Sequence, residues 1–131
     1  MLKRAITYTD YNGNTRTEDF YFNISKAELA EMELTTNGGF GEMIQKIIKA
    51  NDQPAVIKLF KMIILKAYGE KTPDGKYFNK SEELSDAFSH TEAYSELFME
   101  LATDSEAASA FVNGIIPQDV KPAKTVAPSA E

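Results

Sequence analysis

Two short runs of β-forming residues flank a turn at the N-terminal end of the sequence, and they commit that end to a hairpin. Residues 3–9 alternate, with Arg4, Ile6 and Tyr8 on one side and Ala5, Thr7 and Thr9 on the other. Residues 15–22 are rich in Thr, Tyr and Phe, and Arg16, Glu18, Phe20 and Phe22 share a face. β-Branched and aromatic side chains suit a pleated surface. Asp10-Tyr11-Asn12-Gly13-Asn14 lies between the runs, and Asn-Gly supplies the positive φ angles that tight hairpin turns need.

The periodicity then changes to that of helices. Ser25-Lys26-Ala27-Glu28 is a capping box, with Ile24 and Leu29 placed as a hydrophobic staple. A stop is expected near Asn37-Gly38, which tolerate the left-handed conformation. Phe40, Met43, Ile44, Ile47 and Ile48 form one apolar stripe of a second helix. Pro54 suits the first turn of a third, which carries apolar side chains from Val56 to Tyr68 around most of its circumference. Such a helix is expected to be central and covered by several neighbours. Thr72-Pro73-Asp74-Gly75 reads as a turn, and Tyr77-Phe78 as a short extended piece packing back on the core.

Ser81-Glu82-Glu83 opens another helix, with Leu84, Ala87 and Phe88 inward. A second stripe, Tyr94, Leu97, Phe98 and Leu101, is offset around the axis, which favours a break in residues 81–102 over one bent helix. Thr103-Asp104-Ser105-Glu106 reads as a further capping box, leading to a last helix with Ala107, Ala110 and Phe111 inward. The expected fold is therefore α+β and mainly helical, with about five or six helices and an N-terminal β-hairpin. Residues 1–116 form a single domain. Residues 117–131 hold three prolines and no aromatic side chain, and read as a flexible tail.

Bulk composition narrows the function. The 131 residues are 43% apolar and 26% charged, an ordinary balance for one globular domain. With no cysteine, disulfide frameworks, thiolate metal sites and cysteine nucleophiles drop out together. Twenty acidic residues against fourteen scattered basic ones give a net charge of −6, which argues against neutralising a nucleic-acid backbone. Met1-Leu2-Lys3-Arg4 does not lead into the apolar region of a signal peptide, and the longest apolar run, around Met62 to Leu65, is too short to span a bilayer. A cytoplasmic location is expected, with neither nucleic acid nor membrane as a partner.

Catalytic and cofactor chemistry is not found. His90 is the sole histidine and reads as a surface residue at a helix junction, because nothing in the sequence identifies a group to orient it as a base. Asp10 to Asn14 has the opening oxygens of a calcium loop, but Thr15 stands at the required glycine position and Tyr21 at the closing glutamate. Gly38-Gly39-Phe40-Gly41 lacks the Gly-Lys-Ser/Thr ending of a phosphate loop and does not follow a strand. Asn23-Ile24-Ser25 and Asn79-Lys80-Ser81 match glycosylation sequons, but both serines are better used as helix caps. Glu92, Glu96 and Glu100 recur every four residues and read as a solvated helix face rather than a recognition face. No catalytic residue, cofactor site or metal site is expected.

In order along the chain come Ile6-Thr7-Tyr8-Thr9-Asp10-Tyr11-Asn12-Gly13-Asn14, Thr17 to Glu28, Ile64-Leu65-Lys66-Ala67-Tyr68-Gly69-Glu70-Lys71 and Thr91 to Leu101. This succession of phrases, from about Ile6 to Pro117, resembles the tail assembly chaperones of long-tailed phages and prophages of Gram-positive bacteria. The resemblance implies a protein that binds the long helical tape measure protein and helps tail tube subunits polymerise around it. It also implies absence from the finished virion and, in many relatives, a longer form made by ribosomal frameshifting. The tail after Pro117 is where such a junction would fall. The alternative is a structural virion protein such as a tail completion or connector component. A chaperone for helical clients needs an apolar groove or edge with a polar rim. Candidate partner-binding residues are Leu34 and Phe40, around the turn after the first helix, and Phe111, Ile115 and Ile116 near the last.

Overall fold

A computed structural model describes residues 1–36, 38–39, 41–43, 45, 49 and 53–117. The hairpin is as the sequence dictates. Strands β1 (Leu2–Thr9) and β2 (Thr15–Phe22) pair antiparallel from Leu2↔Phe22 to Thr9↔Thr15. Ile6 is buried and Leu2, Arg4 and Tyr8 are half-buried, while Lys3, Ala5, Thr7 and Thr9 face solvent. The turn closes on Asp10. Its Oδ1 accepts from the N–H groups of Asn12 and Asn14, both at 2.9 Å, and its carbonyl accepts from Gly13 at 2.9 Å. Gly13 takes the positive φ of +86° at the end of a three-residue loop. Asp10, the first residue of the turn's likeness to a calcium loop, is thus bonded to the backbone of its own turn and, through Oδ2, to Arg16.

Helix α1 (Lys26–Thr35) starts on the expected capping box. Glu28 N–H donates to Ser25 Oγ at 3.1 Å, and Ser25 N–H donates to Glu28 Oε1 at 2.9 Å. Ile24 is buried, and Leu29 packs against the core beside it. The helix ends at Thr35, slightly before the expected Asn37-Gly38 stop; Asn37 lies outside the described residues. Residues 41–43, 45 and 49 are helical, but Phe40, Ile44, Ile47 and Ile48 of the proposed stripe also lie outside the described residues.

Helix α2 (Gln53–Ala67) departs from the sequence reading in two ways. It is buried along one face only, through Leu59, Ile63, Ile64 and Ala67, while Ile57 and Met62 remain exposed. It also stops one residue early. Tyr68 begins a strand, β3 (Tyr68–Lys71), with no intervening turn. The reason is non-local. Leu65 C=O accepts from Ser85 Oγ at 2.8 Å, Lys66 C=O from Lys80 Nζ at 2.9 Å, and Ala67 C=O from Asn23 N–H at 2.8 Å. Those carbonyls would otherwise be orphans of the helix end. Strand β3 pairs with the end of β2 (Tyr21↔Gly69, Phe22↔Tyr68) and with β4 (Phe78–Asn79), giving a four-stranded sheet of order β1-β2-β3-β4. The expected Thr72-Pro73-Asp74-Gly75 turn joins β3 to β4, with Gly75 N–H donating to Thr72 C=O at 2.9 Å. Gly69 is fixed by space, since a Cβ there would lie 2.6 Å from the Phe78 ring and 2.8 Å from the Asn79 carbonyl oxygen.

Residues 81–102 form two helices, α3 (Glu82–Ser89) and the start of α4 (Glu92–Thr103). His90 caps the first at its C-terminus and Thr91 caps the second at its N-terminus, its Oγ1 accepting from Tyr94 N–H at 3.2 Å. Phe88 is buried but Ala87 is exposed, contrary to its expected inward position. Helix α5 (Ser105–Ile115) is capped by Asp104 rather than by Thr103: Asp104 Oδ1 accepts from Glu106 and Ala107 N–H at 3.0 and 3.2 Å. A carboxylate at this position accepts two orphan donors at once and complements the helix dipole. Ala108 lies in the core beside Phe111, Ala107 rests against it, and Ala110 is exposed, contrary to its expected inward position.

The core lies between the inner face of the sheet and the helices. Phe22 is at its centre, in edge contact with Tyr68, Phe88 and Phe111 at ring separations of 5.8, 5.7 and 5.3 Å. Tyr68 and Phe88 stack at 4.3 Å. Ile64, Leu97, Leu101 and Ile115 complete the interior. The connector after β2 ties these layers together, because Asn23 N–H reaches the end of α2 and Ile24 N–H donates to Ile115 C=O at 2.8 Å at the end of α5.

Candidate functional site

The most concentrated polar arrangement among the described residues surrounds Lys80. Its ammonium donates to both Glu28 carboxylate oxygens at 2.8 Å, to Lys66 C=O at 2.9 Å and to Asn23 C=O. Burial pushes the Lys80 ammonium below its ordinary value, more than the Glu28 charge lifts it back. Burial alone would raise the Glu28 carboxyl, but hydrogen bonds from Lys80 and from Ser25 N–H outweigh it and hold that group below the usual range. The pair borders an open cleft of about 450 Å³, shared with Met62, Leu65, Ser85 and Asp86. Every strong interaction of the ammonium is spent on the protein's own acceptors. This is a strut joining the start of α1, the end of α2 and the start of α3, not a poised nucleophile.

Several other titratable groups are likewise committed to structure. Asp10 is held below the usual carboxylate range by Arg16, whose Nε lies at 2.6 Å, and by the N–H groups of its own turn. Asp74 is lowered by the Thr72 hydroxyl, at 2.7 Å, and by Lys76 N–H. Two of the three acids spaced along α4 grip the hairpin: Glu100 Oε1 lies 2.6 Å from Arg4 Nη2, and Glu92 accepts from Tyr11 O–H at 2.9 Å. Glu96 is exposed. His90 is exposed at its helix junction, its backbone N–H donating to Ala87 C=O at 3.2 Å. Ser25 and Ser81, the hydroxyl positions of the two sequons, both accept backbone N–H groups as helix caps. Among the described residues, no group of three or more acidic or histidine side chains is arranged to hold a metal ion.

The five candidate partner-binding residues do not form one site. Leu34, on the last turn of α1, is 86% exposed and is the most solvent-accessible large apolar side chain among the described residues. Phe40 lies outside the described residues. Phe111 and Ile115 are interior, at 2% and 1% exposure, so neither offers a surface in this conformation, and Ile116 is half-buried. Helical spacing alone made the last helix's stripe compatible with either role; the aromatic contact to Phe22 and the bond from Ile24 N–H to Ile115 C=O place it inside.

Ile57 and Met62 on α2 and Tyr77 before β4, expected to pack inward, are exposed, as is Met99 on α4. The signal for the first two was present: α2 carries more apolar residues than one buried face can use. Helix α1 buries none of its residues fully; Leu29 and Met32 rest against the core from its periphery.

Among the described residues no helix is long and apolar enough to cross a membrane. No curated protein and no solved structure matches the chain. Over residues 1–130 the sequence matches the family model described as phage tail assembly chaperone, and the chain belongs to that family.

Proposed function

We propose that the chain binds the tape measure protein of its phage and keeps it soluble while tail tube subunits polymerise around it, acting by contact and without catalysis. The observation that carries this reading is the family match along nearly the whole chain. The geometry adds a peripheral helix, α1, which buries no residue fully and presents Leu34 almost wholly to solvent. Leu34 is thereby available as an apolar contact for a client. The titratable clusters are occupied by caps, turns and struts, which fits a protein that works through its exterior.

In this reading the chain acts in the bacterial host cytoplasm, during morphogenesis of a long-tailed phage of a Gram-positive host. Its partners are the tape measure protein, the major tail tube protein and a frameshifted longer form of the chain. Residues 1–116 would form the domain, and residues 117–131 the junction from which the longer form would continue.

Co-expression with the tape measure protein of the same genome tests the proposal. The expected result is a higher soluble fraction of that protein, co-purification of the two, and loss of both effects in Leu34→Glu. Mass spectrometry of purified virions should not detect the chain. A chain that stays in the particle and leaves the tape measure protein insoluble would instead be a structural component such as a tail completion protein.

A further inference from the structure

The two halves of helix α1 are secured very differently. Each of α2 to α5 has at least one buried side chain, whereas α1 has none. Its first turn is nonetheless firmly held. Ile24 is buried just ahead of it, and Leu29 N–H donates to Ser25 C=O at 2.9 Å. Both Glu28 carboxylate oxygens lie 2.8 Å from Lys80 Nζ. In the second half Ala30, Glu31, Glu33, Leu34 and Thr35 are exposed, and Met32 alone rests against the core. The last turn holds Glu33 and no basic residue, although the helix dipole disfavours negative charge at that end. A helix of 10 residues is marginal in water by itself, so its persistence depends on docking.

We infer that α1 is a latched flap: it leaves the body as one unit while the sheet and α2 to α5 stay folded, and the Glu28–Lys80 pair is the latch. The hinge falls at Ser25. Asn23 N–H is bonded to Ala67 C=O and Ile24 N–H to Ile115 C=O, which pins the chain immediately before the helix to the ends of α2 and α5. Lys80 keeps its bonds to the Lys66 and Asn23 carbonyls when Glu28 departs, so the end of α2 remains capped in the open form. Glu28 lines the same cleft as Met62 and Leu65. Opening therefore widens that cleft and frees Leu29 and Met32, which the closed form half covers, alongside the already exposed Leu34. The device adds apolar surface without unfolding the core.

The flap is independent of the tape measure reading and is tested on the full chain alone, by native-state hydrogen exchange read residue by residue with NMR. In the wild type the amides of Leu29 to Thr35 should be less protected than those of Leu101 and Phe111 by about a hundredfold or more, as a cooperative unit that opens ahead of the core requires. Glu28→Gln keeps the capping box, because glutamine serves at that position, and removes the charge from the latch. It should raise the opening constant of α1 about tenfold, and by the same factor at Leu34 as at Leu29. Wild-type protection of α1 equal to that of Leu101 and Phe111 overturns the inference. So does exchange at Met32 to Thr35 that is unmoved by Glu28→Gln, which is the behaviour of a helix end fraying by itself.

Discussion

Replacing Lys80 by alanine should cost more stability than an ordinary surface substitution. Its ammonium is the shared donor for the Glu28 carboxylate, the Lys66 carbonyl and the Asn23 carbonyl. Hydrogen bonds to charged groups contribute about 1.5–3 kcal/mol each. Removing one member of a fully buried ion pair costs roughly 3–5 kcal/mol, because the other is left uncompensated. Here the side chains of Lys80 and Glu28 keep 19% and 25% of their exposure, so water reaches part of what is left behind. A discounted cost of about 2–3 kcal/mol follows. In a domain of this size that corresponds to a fall in Tm of roughly 8–12 °C. The loss should also be local in character, because two helix ends depend on the same group.

Urea unfolding followed by circular dichroism measures the free energy. The double variant Lys80→Ala, Glu28→Gln isolates the pairwise part, which should be about 1–2 kcal/mol. A Lys80→Ala protein within about 0.5 kcal/mol of wild type, the ordinary range for inconsequential surface changes, would refute the strut.

Three further outcomes are expected. Gly69→Ala should destabilise by about 2 kcal/mol or more, since its Cβ would meet a backbone carbonyl oxygen as well as the Phe78 ring; thermal melting of the variant checks it. Asp104→Ala should lose about 1 kcal/mol in urea by removing the cap of α5, whereas Thr103→Ala should lose much less. The folded carboxyl of Glu28 titrates below its unfolded value, so its contribution is complete above the unfolded carboxylate pKa of about 4.3 and is lost as pH falls through the lower folded value. Stability measured from pH 6 to pH 3 should therefore decline, and the decline should be shallower in Glu28→Gln.

What the sequence reveals and what it hides divides along the range of the interactions. The hairpin, the Ser25 cap and the Thr72–Gly75 turn are local in cause: each is built by side chains bonding to backbone within a few residues. They are accordingly legible. Strand β3 is not, because Ala67 and Tyr68 continue an apolar helical pattern without interruption. The break there is imposed by Asn23, Lys80 and Ser85, which are distant in the chain. The separation of α3 from α4 is intermediate. Their offset stripes favour it, and the caps at His90 and Thr91 settle it.

The candidate surface was the least legible part. An apolar residue at helical spacing is consistent with the core or with an interface, and only packing distinguishes Phe111, in contact with Phe22, from Leu34, open to solvent. The α4 acids show the same ambiguity in polar form: Glu92 and Glu100 look like a solvated face until the hairpin is folded against them.

The proposal that the chain acts through adhesion alone is tested most directly by light scattering of the purified tape measure protein diluted from denaturant in the presence of increasing amounts of the chain. The account predicts suppression of aggregation that saturates at a fixed stoichiometry, needs no nucleotide and is unchanged by chelator. Aggregation that proceeds undiminished at excess chain, or suppression that appears only with added nucleotide or metal, would contradict it.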